Sequence, residues 1–234
     1  MRYKCEIAYI GTRYAGFQSQ INALAIQDVI EKSLEVIFKE KIRIIMASRT
    51  DAGVHALAQV FHFDAAKYDT YRLKGALNHF LPDDMHINKV EIVDKNFHAR
   101  FLVKAKTYRY IINTGESDPF LKDRALEIHY NLDLNKIEDC MKLFIGKHDF
   151  ASFNTTPYSD VKDQVREIYD FRMIQKGKLL IFEIRGNGFL KNMVRLLIGA
   201  LIDVGRNKKT IEDIKKSLAI PNKEKERLNV APGG

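Results

Sequence analysis

The sequence has little cysteine and no long apolar run, and each shortage narrows its class. Its two cysteines, Cys5 and Cys140, stand far apart without CxxC spacing. That fits a reducing compartment and argues against a zinc knuckle or a dithiol redox motif. No apolar stretch approaches the ~18 residues that a membrane span requires. Met1 to Glu6 lead straight into alternating, strand-like sequence, so no signal peptide is expected. The phosphate-cradling P-loop, the GxGxxG fingerprint and the HExxH zinc motif are all missing. Histidines stand at 55, 62, 79, 86, 98, 129 and 148, none of them paired in a metal-ligand context. Low-complexity segments and Gly/Ser-rich linkers are missing too, which predicts two halves sharing one continuous sheet.

What is present is ordinary for a globular protein: 46% apolar and 29% charged residues. At 234 residues the chain is one large domain or two small ones. A chain of that size buries roughly 70–75% of its unfolded surface, with no need of a disulfide or metal staple. Lys and Arg number 38 against 30 Asp and Glu, giving a net charge of +8 and a pI near 9.3. Such an excess suits a polyanionic partner, nucleic acid being the commonest. A basic enzyme with no such partner is the plainer alternative.

One supersecondary pattern is used twice. Tyr3–Tyr9 alternates as a strand does, and Leu24–Phe38 carries a helical stripe at Ile26, Val29, Ile30, Leu34 and Ile37, with Asn22 as its expected N-cap. Strands are predicted over Arg43–Ala47, Ala58–Phe63 and His86–Val93, with a helix over Thr70–Phe80 that Leu81-Pro82 stops. In the second half, strands are predicted over Thr107–Asn113, Gln164–Ile174 and Leu179–Arg185, the last two a hairpin around Lys176-Gly177. Helices are predicted over Leu134–Ile145, from Phe189 to about Val204, and over Thr210–Leu218. The expectation is an α+β fold. Two ferredoxin-like β-α-β-β-α-β halves, 1–96 and 97–234, form a continuous, mostly antiparallel sheet with helices on one side. The strand that would close the second half is expected to be missing, since the sequence ends at Ala231-Pro232-Gly233-Gly234.

Ser48-Arg49-Thr50-Asp51-Ala52-Gly53-Val54-His55-Ala56 is the most unusual stretch, a carboxylate between two predicted strands beside an arginine. Gly53 permits a tight turn or a close backbone approach. A carboxylate held on such a loop can act as nucleophile or base, and a nearby arginine keeps it ionised. The plainer reading is an Asp that caps a turn.

Arg49 to His55 resembles the signature of the TruA family of tRNA pseudouridine synthases. Five further stretches resemble that family's motifs in order: Tyr9–Gln18, Phe97-His98-Ala99-Arg100-Phe101, Lys106–Tyr110, Gly146–Phe153 and Gly186–Arg195. The resemblance runs from residue 3 to about 206. It implies that Asp51 is the catalytic carboxylate required to break the N-glycosidic bond of uridine, the freed uracil reattaching through C5. No cofactor is implied and no metal. It further implies that Arg49 fills the space left by the flipped base, that Tyr108 stacks on the uracil, and that Arg195 pairs with Asp51. Arg195 is expected on a helix flank that it shares with Lys191 and Asn192. Phe97, His98, Ala99, Arg100, Phe101, Lys106 and Lys191 are expected on the RNA, with Lys104 and Arg109 adding to the cationic run. His55 and His98 are expected mainly to buttress. The Phe153–Val161 loop is a further place for RNA contact.

The partner implied is tRNA, modified at positions 38, 39 and 40 of the anticodon stem-loop by a cytoplasmic homodimer that one tRNA bridges. An RNA-binding module without catalysis, and a metal-dependent phosphotransferase built on Asp51, Asp64 and Asp149, are the rival classes.

Overall fold

In the first strand Tyr3, Cys5, Ile7 and Tyr9 are buried while Arg2, Lys4, Glu6 and Ala8 are only half-buried. That period of two is what a sheet covered on one face imposes. The structure is a computed structural model that describes residues 1–156, 163–219 and 230–231. The chain divides into two compact units, Met1–Val103 and a second beginning at Lys104.

The first unit runs β1 (Arg2–Tyr9), α1 (Ile26–Phe38), β2 (Ile45–Met46), β3 (Ala56–Asp64), α2 (Thr70–Phe80) and β4 (Met85–Val93). Its sheet has the order β2-β3-β1-β4, with every pairing antiparallel. Tyr3, Cys5, Ile7, Phe61 and Phe63 pack against Ile26, Ile30 and Leu34 of α1 and Leu73 and Leu77 of α2. Helix α2 has the predicted bounds, and both of its ends are fixed by local contacts. The Asp69 carboxylate accepts the Arg72 N–H at 2.9 Å, and Leu81-Pro82 stops the last turn.

Helix α1 starts two residues later than its stripe suggests, and Ala25, not Asn22, is its N-cap. The cause is tertiary. The Ile26 and Gln27 amides, orphans of the first turn, donate to the carbonyls of Gly16 (3.1 Å) and Phe17 (2.9 Å). The Ala25 amide itself donates to the Asp28 carboxylate (3.2 Å).

The second unit runs β5 (Lys106–Asn113), β6 (Leu126–Glu127), α3 (Leu134–Leu143), β7 (Gly146–Asp149), β8 (Val165–Lys176), β9 (Leu179–Gly186), α4 (Met193–Gly205) and α5 (Ile211–Ala219). Its sheet order is β6-β5-β9-β8-β7, antiparallel except for the short β5–β6 pair. The hairpin expected at Lys176-Gly177 is present, with Gly177 at φ +59°. Helix α4 is buried from Leu196 through Gly205 and fills the core against α3 and the sheet. It begins at Met193 rather than Phe189, because Asn192 takes a left-handed backbone (φ +59°) that no helix interior allows. Lys191 therefore lies outside the helix and does not share its flank with Arg195.

In place of the expected continuous sheet, the described residues form two sheets, of four and five strands. After β4 the chain runs through residues 94–105 as turns and irregular backbone. Residues 232–234, at which the closing strand is expected to be missing, and residues 157–161 of the Phe153–Val161 loop lie outside the described residues.

Two arginines bracket one carboxylate on the sheet face turned away from the second unit's core. Glu183 accepts from Arg109 (2.6 Å) and from Arg172 (2.6 Å) across the β5–β9–β8 ladder. Arg109 first, then Arg172, hold the Glu183 carboxyl below the usual carboxylate range. A depressed folded-state pKa stabilises above the ordinary value of about 4.3, and that contribution is lost as pH falls through the depressed pKa. Glu183→Gln is expected to remove this part of the acid dependence of unfolding, measured as urea midpoints between neutral and acid pH. Leu197→Ala, at a fully buried site of α4, is expected to cost about 2–5 kcal/mol in the same assay.

Candidate functional site

The Asp51 loop is fixed by backbone hydrogen bonds to the segment that follows β1. The Phe17 amide donates to the Thr50 carbonyl (3.2 Å) and the Gly53 amide to the Tyr14 carbonyl (3.3 Å). Within the loop, the Val54 amide closes a turn on the Asp51 carbonyl at 3.2 Å. Side chains add three more ties. The Gly11 amide donates to His55 Nδ1 (2.9 Å), the Tyr9 and Thr50 hydroxyls bond at 3.0 Å, and Gln59 Nε2 donates to the Ser48 carbonyl (2.6 Å). His55 thus buttresses, as expected.

The approach is so close that only glycine fits at two positions. A Cβ on Gly11 would run into the Val54 carbonyl oxygen, and one on Gly16, at φ +96°, would stand 2.5 Å from the Thr50 carbonyl oxygen. The segment is anchored in turn by Asp84, whose carboxylate accepts the Tyr14 hydroxyl (2.8 Å) and Arg13 Nε (2.8 Å). Burial, and next the bond to Asp84, push the Tyr14 hydroxyl above the usual phenol range. Asp51 itself is half-buried at the head of the turn, and Arg49 is exposed. Among the described residues no ion pair joins the two. Sequence reasoning missed Asp84 and the two glycines as supports of this loop. Tyr9–Gln18 was legible as a motif, but nothing local reveals which backbone it touches.

Phe97 to Phe101 form a strap across the sheet face of the first unit that the helices leave open. Arg2, fixed by both oxygens of Asp64 (2.8 and 2.6 Å), donates to the carbonyls of Lys95 and Phe97. His62 lies on that face yet is buried, because the strap covers it. Its Nδ1 accepts the Ala99 amide (3.1 Å), and the rings of Phe97 and His98 pack on it at 5.8 and 5.0 Å. Burial, then the Arg2 charge, lower the His62 pKa. Ala99 is buried and secures the strap, while Arg100 and Phe101 are exposed. His62 was missed by sequence reasoning; its only signal was a histidine between two strand phenylalanines, Phe61 and Phe63.

In the second unit, Tyr108 is half-buried with its ring edge-to-face on Phe189 at 5.0 Å. Tyr110, on the same strand face, belongs to the core, where burial pushes its hydroxyl up to about 12 against the opposing Arg195 charge. Arg109 is held by Glu183. Arg195 Nε donates to the Ala231 carbonyl (2.6 Å), the Ala231 amide returns a bond to the Arg195 carbonyl (3.1 Å), and Arg195 Nη1 reaches Asn192 Oδ1 at 3.3 Å. Lys191 is exposed, and its carbonyl accepts the Thr155 amide. The Arg195–Ala231 pairing had no sequence signal.

Among the described residues no group of three or more His, Cys, Asp or Glu side chains is arranged to hold a metal ion. The Asp64 carboxylate is taken by Arg2, and Asp149 accepts the Ala151 amide at 2.9 Å. Nor is any described helix long and apolar enough to cross a membrane.

Residues 7–102 and 140–234 match the family described as tRNA pseudouridine synthase. A protein of Anoxybacillus flavithermus named tRNA pseudouridine synthase A is 41% identical over 224 residues, 95% of this chain and 91% of the relative. Proteins of the same name from Exiguobacterium sp. and Oceanobacillus iheyensis are each 41% identical over 100% of this chain, covering 94% and 93% of the relatives.

The loop geometry makes one position decisive. Gly11→Ala is expected to destabilise the first unit by about 1–3 kcal/mol through overpacking. Amide exchange is expected to speed up at Phe17 and Gly53, whose bonds span the contact, and at Val54, whose bond closes the loop's own turn. Unchanged exchange there would refute the assignment.

Proposed function

Because the chain belongs to the family of tRNA pseudouridine synthases, we propose that it isomerises uridine to pseudouridine at positions 38, 39 and 40 of the tRNA anticodon stem-loop, with Asp51 as the catalytic carboxylate. In this reaction the N1–C1′ bond of the nucleotide breaks, the uracil turns, and C5 bonds to the same C1′. The C5 proton leaves and N1 ends protonated. Atoms and electrons balance without hydride or water, so side chains suffice and no cofactor enters.

The observation that carries the reading is the half-buried Asp51 on a turn fixed by backbone contacts to Tyr14 and Phe17, in a chain matching the family over most of its length. The target base must leave its stack at a cost of a few kcal/mol. Arg49, exposed two residues from Asp51, is suited to fill the gap, and Tyr108 to stack on the extruded uracil. Arg195 is proposed to orient the Asp51 carboxylate. Lys106, Lys191 and Arg100 supply the salt-sensitive part of RNA affinity, and the strap Phe97-His98-Ala99-Arg100-Phe101 places that arginine. The halves 1–96 and 97–234 are read as ferredoxin-like subdomains, the first carrying Asp51. The enzyme is proposed to act in the cytoplasm as a homodimer bridged by tRNA.

Tritium release from tRNA carrying 5-³H-uridine, in EDTA, tests the reaction. The parent is expected to release tritium, and Asp51→Asn to release none while still binding tRNA. Release by Asp51→Asn, or release lost to EDTA, would overturn the assignment. Light scattering is expected to give twice the chain mass; a fully active monomer would refute the dimer.

A further inference from the structure

The strap ends in an apolar side chain that nothing in the first unit's fold requires to be exposed. Phe101 has 75% of its surface open and Leu102 57%. One face of the Phe101 ring is covered by the His98 imidazole, at 4.1 Å between centroids and 25° between planes. That imidazole is fixed from below: its Nδ1 accepts the Arg100 and Phe101 amides (3.3 and 3.4 Å), and its ring lies 5.0 Å from the buried His62. His62 holds the Ala99 amide, and Arg2 holds the Lys95 and Phe97 carbonyls. The result is a column of aromatic rings, buried at its foot in His62 and open at its top on Phe101.

We propose that the open face of Phe101 is a stacking platform for an unpaired nucleobase of the RNA substrate, separate from the uridine that reacts at Asp51. The assignment rests on the RNA-modifying reading above. Charge favours this occupant over an apolar one, since residues 94–104 carry Lys95, Arg100 and Lys104 against Asp94 alone. A phosphate backbone can follow the cations while one base lies on the ring. Stacking of this kind accepts any base, because each has a flat π-face. A ring already held by His98 loses little freedom on binding, so more of the contact is realised as affinity.

The test is fluorescence anisotropy of a labelled anticodon stem-loop RNA with the full chain, over a salt series, for the parent, Phe101→Ala, Phe101→Trp and Arg100→Ala. Phe101→Ala is expected to weaken binding about 5- to 100-fold. Its salt slope should match the parent's, because no charge is removed. Phe101→Trp should bind at least as well as the parent, and Arg100→Ala should lower the slope by about one. Binding by Phe101→Ala within about twofold of the parent overturns the proposal, since stacking contributes more than that. So does a changed mass by light scattering for Phe101→Ala, which would assign the ring to a second copy of the chain. If Phe101→Ala melts below the parent, Phe101→Trp decides: parent-like affinity supports the platform and Ala-like affinity refutes it. Tritium release is scored separately. A parent that needs Phe101 to bind RNA yet releases no tritium overturns the isomerase reading alone, and release with tight binding by Phe101→Ala overturns the platform alone.

Discussion

Everything proposed for Asp51 depends on how closely two backbones approach between β1 and β3. Inter-segment amides and carbonyls tie Tyr14 and Phe17 to Gly53 and Thr50, and the approach leaves no room for a Cβ at Gly11 or Gly16. One such hydrogen bond contributes only about 0.5–1.5 kcal/mol net. Their effect here is geometric, because together they fix a loop that has no regular secondary structure. The same segment supplies the carbonyls that receive the first amides of α1, at Gly16 and Phe17. Asp51, the post-β1 segment and α1 are therefore one hydrogen-bonded assembly, and Asp84 secures it to the start of β4 through Tyr14 and Arg13.

The opposite face of the first sheet solves a different problem. Helices cover one face; the other carries Arg2, Lys4, His62 and Asp64, which water alone could satisfy. The strap crosses it instead. Arg2 bridges the strap's carbonyls to Asp64, and His62 gives its lone pair to the Ala99 amide. A charged and a neutral polar group are thus used as fixings for a segment that has no ladder of its own. Exposed side chains at its far end are presented by a rigid base, the arrangement a recognition surface needs if binding is not to be offset by ordering.

What the sequence disclosed followed from the range of the interactions involved. Thr70–Phe80 was legible because its period is helical and Pro82 stops it locally, and the β8–β9 hairpin because Gly177 meets a backbone need on the spot. The Asp69 cap that fixes the start of that helix was not read. Asn22 misled because the helix begins only at Ile26, where the first amides, those of Ile26 and Gln27, are taken by the Gly16 and Phe17 carbonyls ten residues back along the chain. Phe189 to Asn192 read as helix because the apolar spacing continues through them, yet Asn192 adopts a left-handed backbone that spacing does not encode. Strands β6 and β7, of two and four residues, are too short for any period to declare itself. Of the site, Asp51 and its loop were legible as a motif. The supports, Asp84, His62 and Ala231, were not, since each acts across long sequence separations through one or two hydrogen bonds.

The contacts at Gly11 and Gly16 also bear on how this sequence can change. Their neighbours are the Val54 and Thr50 carbonyl oxygens, atoms that every amino acid carries. A clash with a side chain can be relieved by trimming that side chain, but a clash with a main-chain oxygen offers a compensating mutation nothing to trim. Intragenic suppressors of substitutions at these two glycines should therefore be rare within residues 50–54 and, where they arise, should act by stabilising the first unit elsewhere.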